Sequence, residues 1–308
     1  MKNKTLFLFN YSKMQVSEIK KFLEKCSRDE NDATNKIRER ILKNIQAIPE
    51  DFLNDSTYGE SWKLLLSKWN EAIIEVSKIA NIPEHTRYVV RMKGGRRTNY
   101  DADIDYFNGN TKLQTVKLEF KYGCESLNGL PQFLSLQVKF GLFPVTYDRF
   151  FYDNYLDKYI AVDSGITLQK PSWEVYKKQV TNVKASISPF FAMLKERESI
   201  EKEKKFCIVN ESIREYLKQH AASIDTASLI KKFIDSQKGK VFALWSDGKF
   251  HIDKISETEM SDLVFKGVFN DNRIDLVKEK TTYGLLLRWR NHKGIQNPAW
   301  QISMKREA

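Results

Sequence analysis

Two hydrophobic periods follow one another along the chain. From 60 to 80, "ESWKLLLSKWNEAIIEVSKIA", the apolar residues Trp62, Leu65, Leu66, Trp69, Ile73, Val76 and Ile79 recur at three- and four-residue steps. That spacing predicts an amphipathic helix, ended by Asn81 and Pro83. The period then changes to two. "RYVVRM" at 87–92 reads as a strand, "KGGRRTN" as a loop, "YDADIDYF" as an alternating strand and "NGN" at 108–110 as a turn. In the returning strand, which carries "KLEFKYG", Val116, Leu118 and Phe120 share one face. Thr115, Lys117, Glu119 and Lys121 share the other.

Upstream, residues 13 to about 50 read as helix, split by the charged stretch "SRDENDATN". Downstream, "GLPQFLSLQVKFGL" is predicted as a helix starting near Pro131, and "DRFFYDNYLDKYI" and "PSWEVYKKQVTNVK" as further helices. "KERESIEKEKK" reads as a solvated helix end or linker and "FCIV" as a core strand. The last hundred residues give helices at about 211–220 and 226–237. A hairpin, "KVFALW" and "FHIDKI" across "SDGK", follows, then the strands "YGLLLRWR" and "AWQISM". The expected division is an N-terminal helical segment at 1–55, a core at 56–210 and a C-terminal α+β region at 211–308. The expected fold class is α/β with mixed α+β character, a mixed central sheet flanked by helices.

Composition adds four constraints. With 41% hydrophobic and 30% charged residues and a mean hydropathy of −0.52, the chain can fill a core but reads as soluble. The apolar run Leu6 to Phe9 is too short for a signal-peptide core or a membrane span, so no membrane association and no secretion is expected. Cys26, Cys124 and Cys207 are odd in number and lack metal-ligand spacing. They imply a reducing intracellular compartment, cytoplasmic or nuclear, and no disulfide-linked partner. The net charge of +11 favours an anionic partner, of which nucleic acid is the usual one. The charge is clustered: Thr86 to Tyr100 holds five basic residues and no acid.

The candidate chemistry lies where the two alternating strands meet. Asp101, Asp103 and Asp105 share one parity, and three carboxylates on one strand face repel unless something neutralises them. The hairpin turns the Glu119 strand against them. Carboxylates converging beside a lysine make a hard-oxygen site for a divalent cation, with Lys121 placed to orient a water or to stabilise developing charge.

This arrangement resembles the PD-(D/E)xK nuclease superfamily, whose fold is that of type II restriction endonucleases. The resemblance covers roughly residues 58 to 145, extending towards 210. It implies a restriction-endonuclease-like core at 56–210 and a Mg²⁺-dependent DNA endonuclease, in which Mn²⁺ can substitute. It further implies restriction-like, site-specific double-strand cleavage and, by analogy, a homodimer. Asp103 then takes the metal position, with Asp101 and Asp105 as substitutes. Glu119 is the second ligand and Lys121 the catalytic lysine. Glu75, Glu71 and Glu60 are the candidates for a glutamate on the preceding helix, and Gln132 for a glutamine on the following one. The proline often found before the aspartate is missing, since Tyr100, Ala102 and Ile104 stand there.

Lys93, Arg96 and Arg97 flank two glycines beside the acidic strand, and are read as phosphate contacts or as an ordinary solvated turn. Arg288, Arg290 and Lys293 lie in a segment, Arg273 to Ala308, with eight basic and three acidic residues. It reads equally as a DNA-contacting surface and as a β-rich region with Trp289 and Trp300 in its core. Two other functions compete. A nucleotidyltransferase would use an Asp-x-Asp metal pair in "DADID". A non-catalytic nucleic-acid-binding protein would keep the fold alone.

Overall fold

In a computed structural model of the protein, residues 14–27, 30–93, 99–163, 168–181 and 189–307 are described. Among them are eleven α-helices and two five-stranded sheets, a mixed α/β architecture of the α+β kind. They form two compact units, each built from two pieces of chain. The first takes the described residues up to Ser126 together with Gly239–Ile255; the second takes Leu127–Lys238 and the residues from Ser256 on. The three consecutive segments expected, 1–55, 56–210 and 211–308, are therefore not the compact units.

The first unit carries helices α1 (Ile19–Leu23), α2 (Asn31–Asn44), α3 (Glu50–Leu53) and α4 (Gly59–Ile79). Strands β1 (Arg87–Met92), β2 (Ala102–Asn108) and β3 (Thr111–Tyr122) form an antiparallel meander. Asn108 pairs with Thr111, leaving Gly109 and Asn110 to close the hairpin. Gly109 has φ +57°, the left-handed region that favours glycine. After β3 the chain builds most of the second unit, including β4 (Leu134–Gln137). It returns as β5 (Lys240–Ser246), parallel to β3, with β6 (Lys249–Asp253) at the edge. The sheet order is β1-β2-β3-β5-β6.

One face of this sheet is apolar. Ile104, Tyr106, Val116, Leu118, Phe120, Val241, Ala243 and Trp245 pack in one core with Trp62, Trp69, Ile73 and Val76 of α4 and Ile41 and Ile45 of α2. Full burial of side chains this size stabilises by roughly 1.5–3 kcal/mol each before the ordering entropy is counted. Two polar groups are satisfied within the layer. The Trp62 indole donates to the Val16 carbonyl at 2.9 Å, and the Tyr106 hydroxyl to the Ile73 carbonyl at 3.1 Å. The second of these ties α4 to β2.

The second unit holds α5 (Tyr147–Asn154), α6 (Leu156–Ala161), α7 (Trp173–Val180), α8 (Pro189–Glu196), α9 (Lys202–His220), α10 (Thr226–Gln237) and α11 (Glu257–Met260). Its sheet is antiparallel, in the order β4-β10-β9-β8-β7. The remaining strands are β7 (Val264–Phe269), β8 (Arg273–Lys278), β9 (Thr281–Trp289) and β10 (Pro298–Arg306).

Three local expectations change. The helix expected from Pro131 is instead the edge strand β4. There Leu134 and Leu136 are buried and Ser135 and Gln137 are not, a period of two that four residues are too few to announce. "FCIV" is not a strand but the second turn of α9, whose buried Lys205, Val209, Ser212, Ile213, Tyr216 and Leu217 recur at helical steps. The strands β7 and β8 were not foreseen, because "VFKGVF" is interrupted by Gly267 and "RIDLVK" mixes charge with apolar residues. Among the described residues, no helix is long and apolar enough to cross a membrane.

Candidate active site

The opposite face of the first sheet is polar, and it is buried as well. Asp103, Asp105 and Glu119 retain 6%, 5% and 8% of their exposure. Parity explains the face: Lys117, Glu119 and Lys121 alternate with the core residues Val116, Leu118 and Phe120 along β3. On β5, Lys240 alternates with the core residue Val241 and stands beside Lys117 in register. With Arg91 of β1 opposite Asp103, the polar face is fed from four strands.

Two clusters of charge share it. At one end, the Glu119 Oε1 atom lies 2.6 Å from the Lys121 ammonium and its Oε2 2.5 Å from the Lys240 ammonium. Lys240 also donates to the Asn99 carbonyl at 2.6 Å. Asp101 stands just before β2 and accepts a hydrogen bond from the Phe120 amide at 2.8 Å. Burial pushes the Asp101 carboxyl up. The charge of Glu119 adds to this, while Lys121, the Phe120 N–H and Lys240 oppose it. Glu39 on α2 is also pushed up, first by burial and then by Asp101. For Lys121 burial acts downwards, but Glu119, Asp101 and Glu39 outweigh it and raise the ammonium. Lys240 is lowered, chiefly by burial and further by Lys121.

At the other end the acids are over-supplied with cations. Asp103 is held by Lys93 at 3.0 Å and Arg91 at 3.4 Å. Asp105 is held by Arg91 at 2.7 Å, Lys112 at 2.6 Å and the Thr115 hydroxyl at 2.6 Å. Burial acts to raise Asp105, but the hydrogen bonds from Lys112, Thr115 and Arg91 prevail and lower it to about 2.

The structure brings Glu119 and Lys121 together as expected, but with Asp101, one of the two substitutes, in place of Asp103, which is taken up in ion pairs with Lys93 and Arg91. Of the three aspartates, Asp101 is the one whose charge couples to Glu119 and Lys121. Glu60, Glu71 and Glu75 sit exposed on α4, the helix that packs on the apolar face. Glu60 pairs with Lys63 and Glu71 with Lys68. The glutamate coupled to the cluster is Glu39 on α2, missed because the resemblance points to the helix directly before the first strand, which is α4. Lys240 was missed because a parallel partner strand far along the chain leaves no local signal.

Gln132 lies in the second unit, outside any helix, with its Oε1 buried and without a hydrogen-bond partner. Lys93 is engaged by Asp103, and Arg96 and Arg97 lie outside the described residues. Arg288 and Arg290 are exposed, reaching Gln301 and Ser135. Lys293 is half-buried over the Phe206 ring at 4.2 Å, and burial lowers its ammonium. Trp289 and Trp300 are buried, which favours the core reading for both.

The donor set suits a hard cation. Asp101 and Glu39 are carboxylates raised partly by neighbouring negative charge, a repulsion that a divalent ion would relieve. Among the described residues, no three Asp, Glu, His or Cys side chains stand close enough to form a metal cluster by themselves. Mg²⁺ does not require one, because one or two carboxylates with water and substrate phosphate complete its shell. Comparison of the chain with family models, with curated proteins and with solved structures finds no match.

Proposed function

We propose that this protein is a Mg²⁺-dependent endonuclease of the PD-(D/E)xK kind, with Mn²⁺ able to substitute, hydrolysing phosphodiester bonds in DNA in a restriction-like, site-specific way. The observation that carries the reading is the convergence of Asp101, Glu119 and Lys121 on one buried sheet face, with Glu39 at its margin. The strand order adds support: an antiparallel meander preceded by a helix and completed by a parallel strand beside the Glu-x-Lys strand.

Asp101 and Glu119 would hold the metal, with Glu39 as the outer acid. When bound, the ion supplies Lewis-acid stabilisation of a phosphoryl oxygen and a more acidic water. Lys121 is one-third exposed, so its ammonium can reach an incoming phosphate, orient the attacking water and stabilise negative charge as it develops. The Phe120 amide fixes the Asp101 carboxylate against the strand. The exposed Arg288 and Arg290 are the candidate backbone contacts in the second unit. Two-strand cutting would be served by a homodimer, each copy cutting one strand. The competing transferase would need an Asp-x-Asp pair, but Asp103 is already held by Lys93 and Arg91, and Lys121 would have no part in it.

The test is digestion of plasmid and genomic DNA with Mg²⁺ or Mn²⁺, beside EDTA and Glu119→Ala controls. Discrete metal-dependent bands, lost in the variant, are expected. Intact DNA in both metals would overturn the reading.

A further inference from the structure

The two lysines that hold Glu119 are not equivalent. Lys121 neighbours Glu119 on its own strand face and keeps 32% side-chain exposure. That exposure leaves its ammonium room to move away from Glu119. Lys240 has 0% side-chain exposure. Its ammonium bridges two separate segments, the Glu119 Oε2 atom at 2.5 Å and the Asn99 carbonyl at 2.6 Å. Its stem rises from a strand whose next residues, Val241 and Phe242, are buried. Moving it would strand a buried charge away from its acceptors, which is strongly unfavourable.

We infer that Lys240 is a positioning residue, a built-in cation that keeps Glu119 Oε2 for itself and so restricts the site to one divalent ion. The inference rests on the nuclease reading. A second ion would have to compete with the Lys240 ammonium for Glu119, in surroundings where like charges repel strongly. The same bridge joins β5 and β3 to the Asn99–Asp101 segment. Lys240 therefore sets the separation of the two metal-holding carboxylates before any ion enters.

The experiment is a calorimetric Mn²⁺ titration of the full chain without DNA. One ion per chain is expected. Two ions per chain would overturn the inference and leave the nuclease reading standing, whereas no binding at all would remove the metal reading itself. The Lys240→Met variant keeps the apolar stem and loses the charge. It is expected to take up a second Mn²⁺ per chain, because the ammonium that occupies Glu119 Oε2 is gone. A folded Lys240→Met chain that still binds one ion would contradict the inference, since a purely structural lysine would lower the melting temperature without changing the ion count. If that variant does not fold, the wild-type ion count decides.

Discussion

The two ends of one sheet face carry the same residue types and opposite electrostatics. Around Asp103 and Asp105, three cations and a hydroxyl serve two acids, and Asp105 is lowered to about 2. Around Asp101 and Glu119, burial and mutual repulsion raise Asp101 and Glu39 although two lysines stand nearby. The first end is a settled ion-pair lattice that holds the β1–β2–β3 meander together. The second stores unfavourable charge, which is the arrangement a site needs if a cation or a phosphate is to be drawn in. Equal numbers of carboxylates thus do not make equal sites; what differs is how completely each is neutralised.

The comparison can be broken by substitution, and the largest effect is expected at the Asp101–Glu119 end. Lys121→Ala is expected to lower single-turnover cleavage by about 10²–10³-fold, the usual loss when one group that stabilises developing charge is removed. Circular dichroism should show the fold retained, because the Lys121 side chain keeps 32% of its exposure. Glu39→Gln should cost less, on the order of tenfold, as expected for an outer acid that orients rather than binds.

Stability should respond with opposite signs at the two ends. Asp105 sits lower when folded than its ordinary value of 3.8, so its pairing stabilises the protein above that value. The contribution is lost as pH falls from about 4 towards 2, and amounts to about 1–2 kcal/mol once allowance is made for its half-exposed partners Arg91 and Lys112. Asp105→Asn should remove the same amount at pH 7, measurable by urea denaturation. Asp101 is raised when folded, so its charge destabilises the metal-free protein at neutral pH. Asp101→Asn should therefore raise the melting temperature without metal, and Mg²⁺ should stabilise the wild type but not this variant. A fall in melting temperature for both variants would remove the distinction.

The smallest effect is expected on the far side of the sheet. Glu60, Glu71 and Glu75 are exposed on α4, and their combined replacement by Gln should leave cleavage and the urea-denaturation midpoint unchanged.

Much of this was legible in the chain. The α4 stripe from Trp62 to Ile79, the parity of β3 and the turn at Gly109 are local patterns, and the fold follows them. The Glu119–Lys121 pair was readable because both ride a strand whose other face is plainly apolar. The choice among the three aspartates was not. Asp101, Asp103 and Asp105 share a parity, and only their surrounding partners separate them: Lys93 and Arg91 on Asp103, Arg91, Lys112 and the Thr115 hydroxyl on Asp105, the Phe120 amide on Asp101. Glu39 and Lys240 were invisible for a related reason. Each reaches the site through pairing or packing distant in sequence, on which local periodicity is silent.

The most direct test of the central claim is the Mg²⁺-dependent cleavage rate of Asp101→Asn beside that of Asp103→Asn, under single-turnover conditions with the same duplex. The account expects Asp101→Asn to lose about 10²-fold or more, as for removal of a group acting on the reacting phosphate, and Asp103→Asn to stay within about tenfold of the wild type. A larger loss in Asp103→Asn, or equal losses in both, would contradict it.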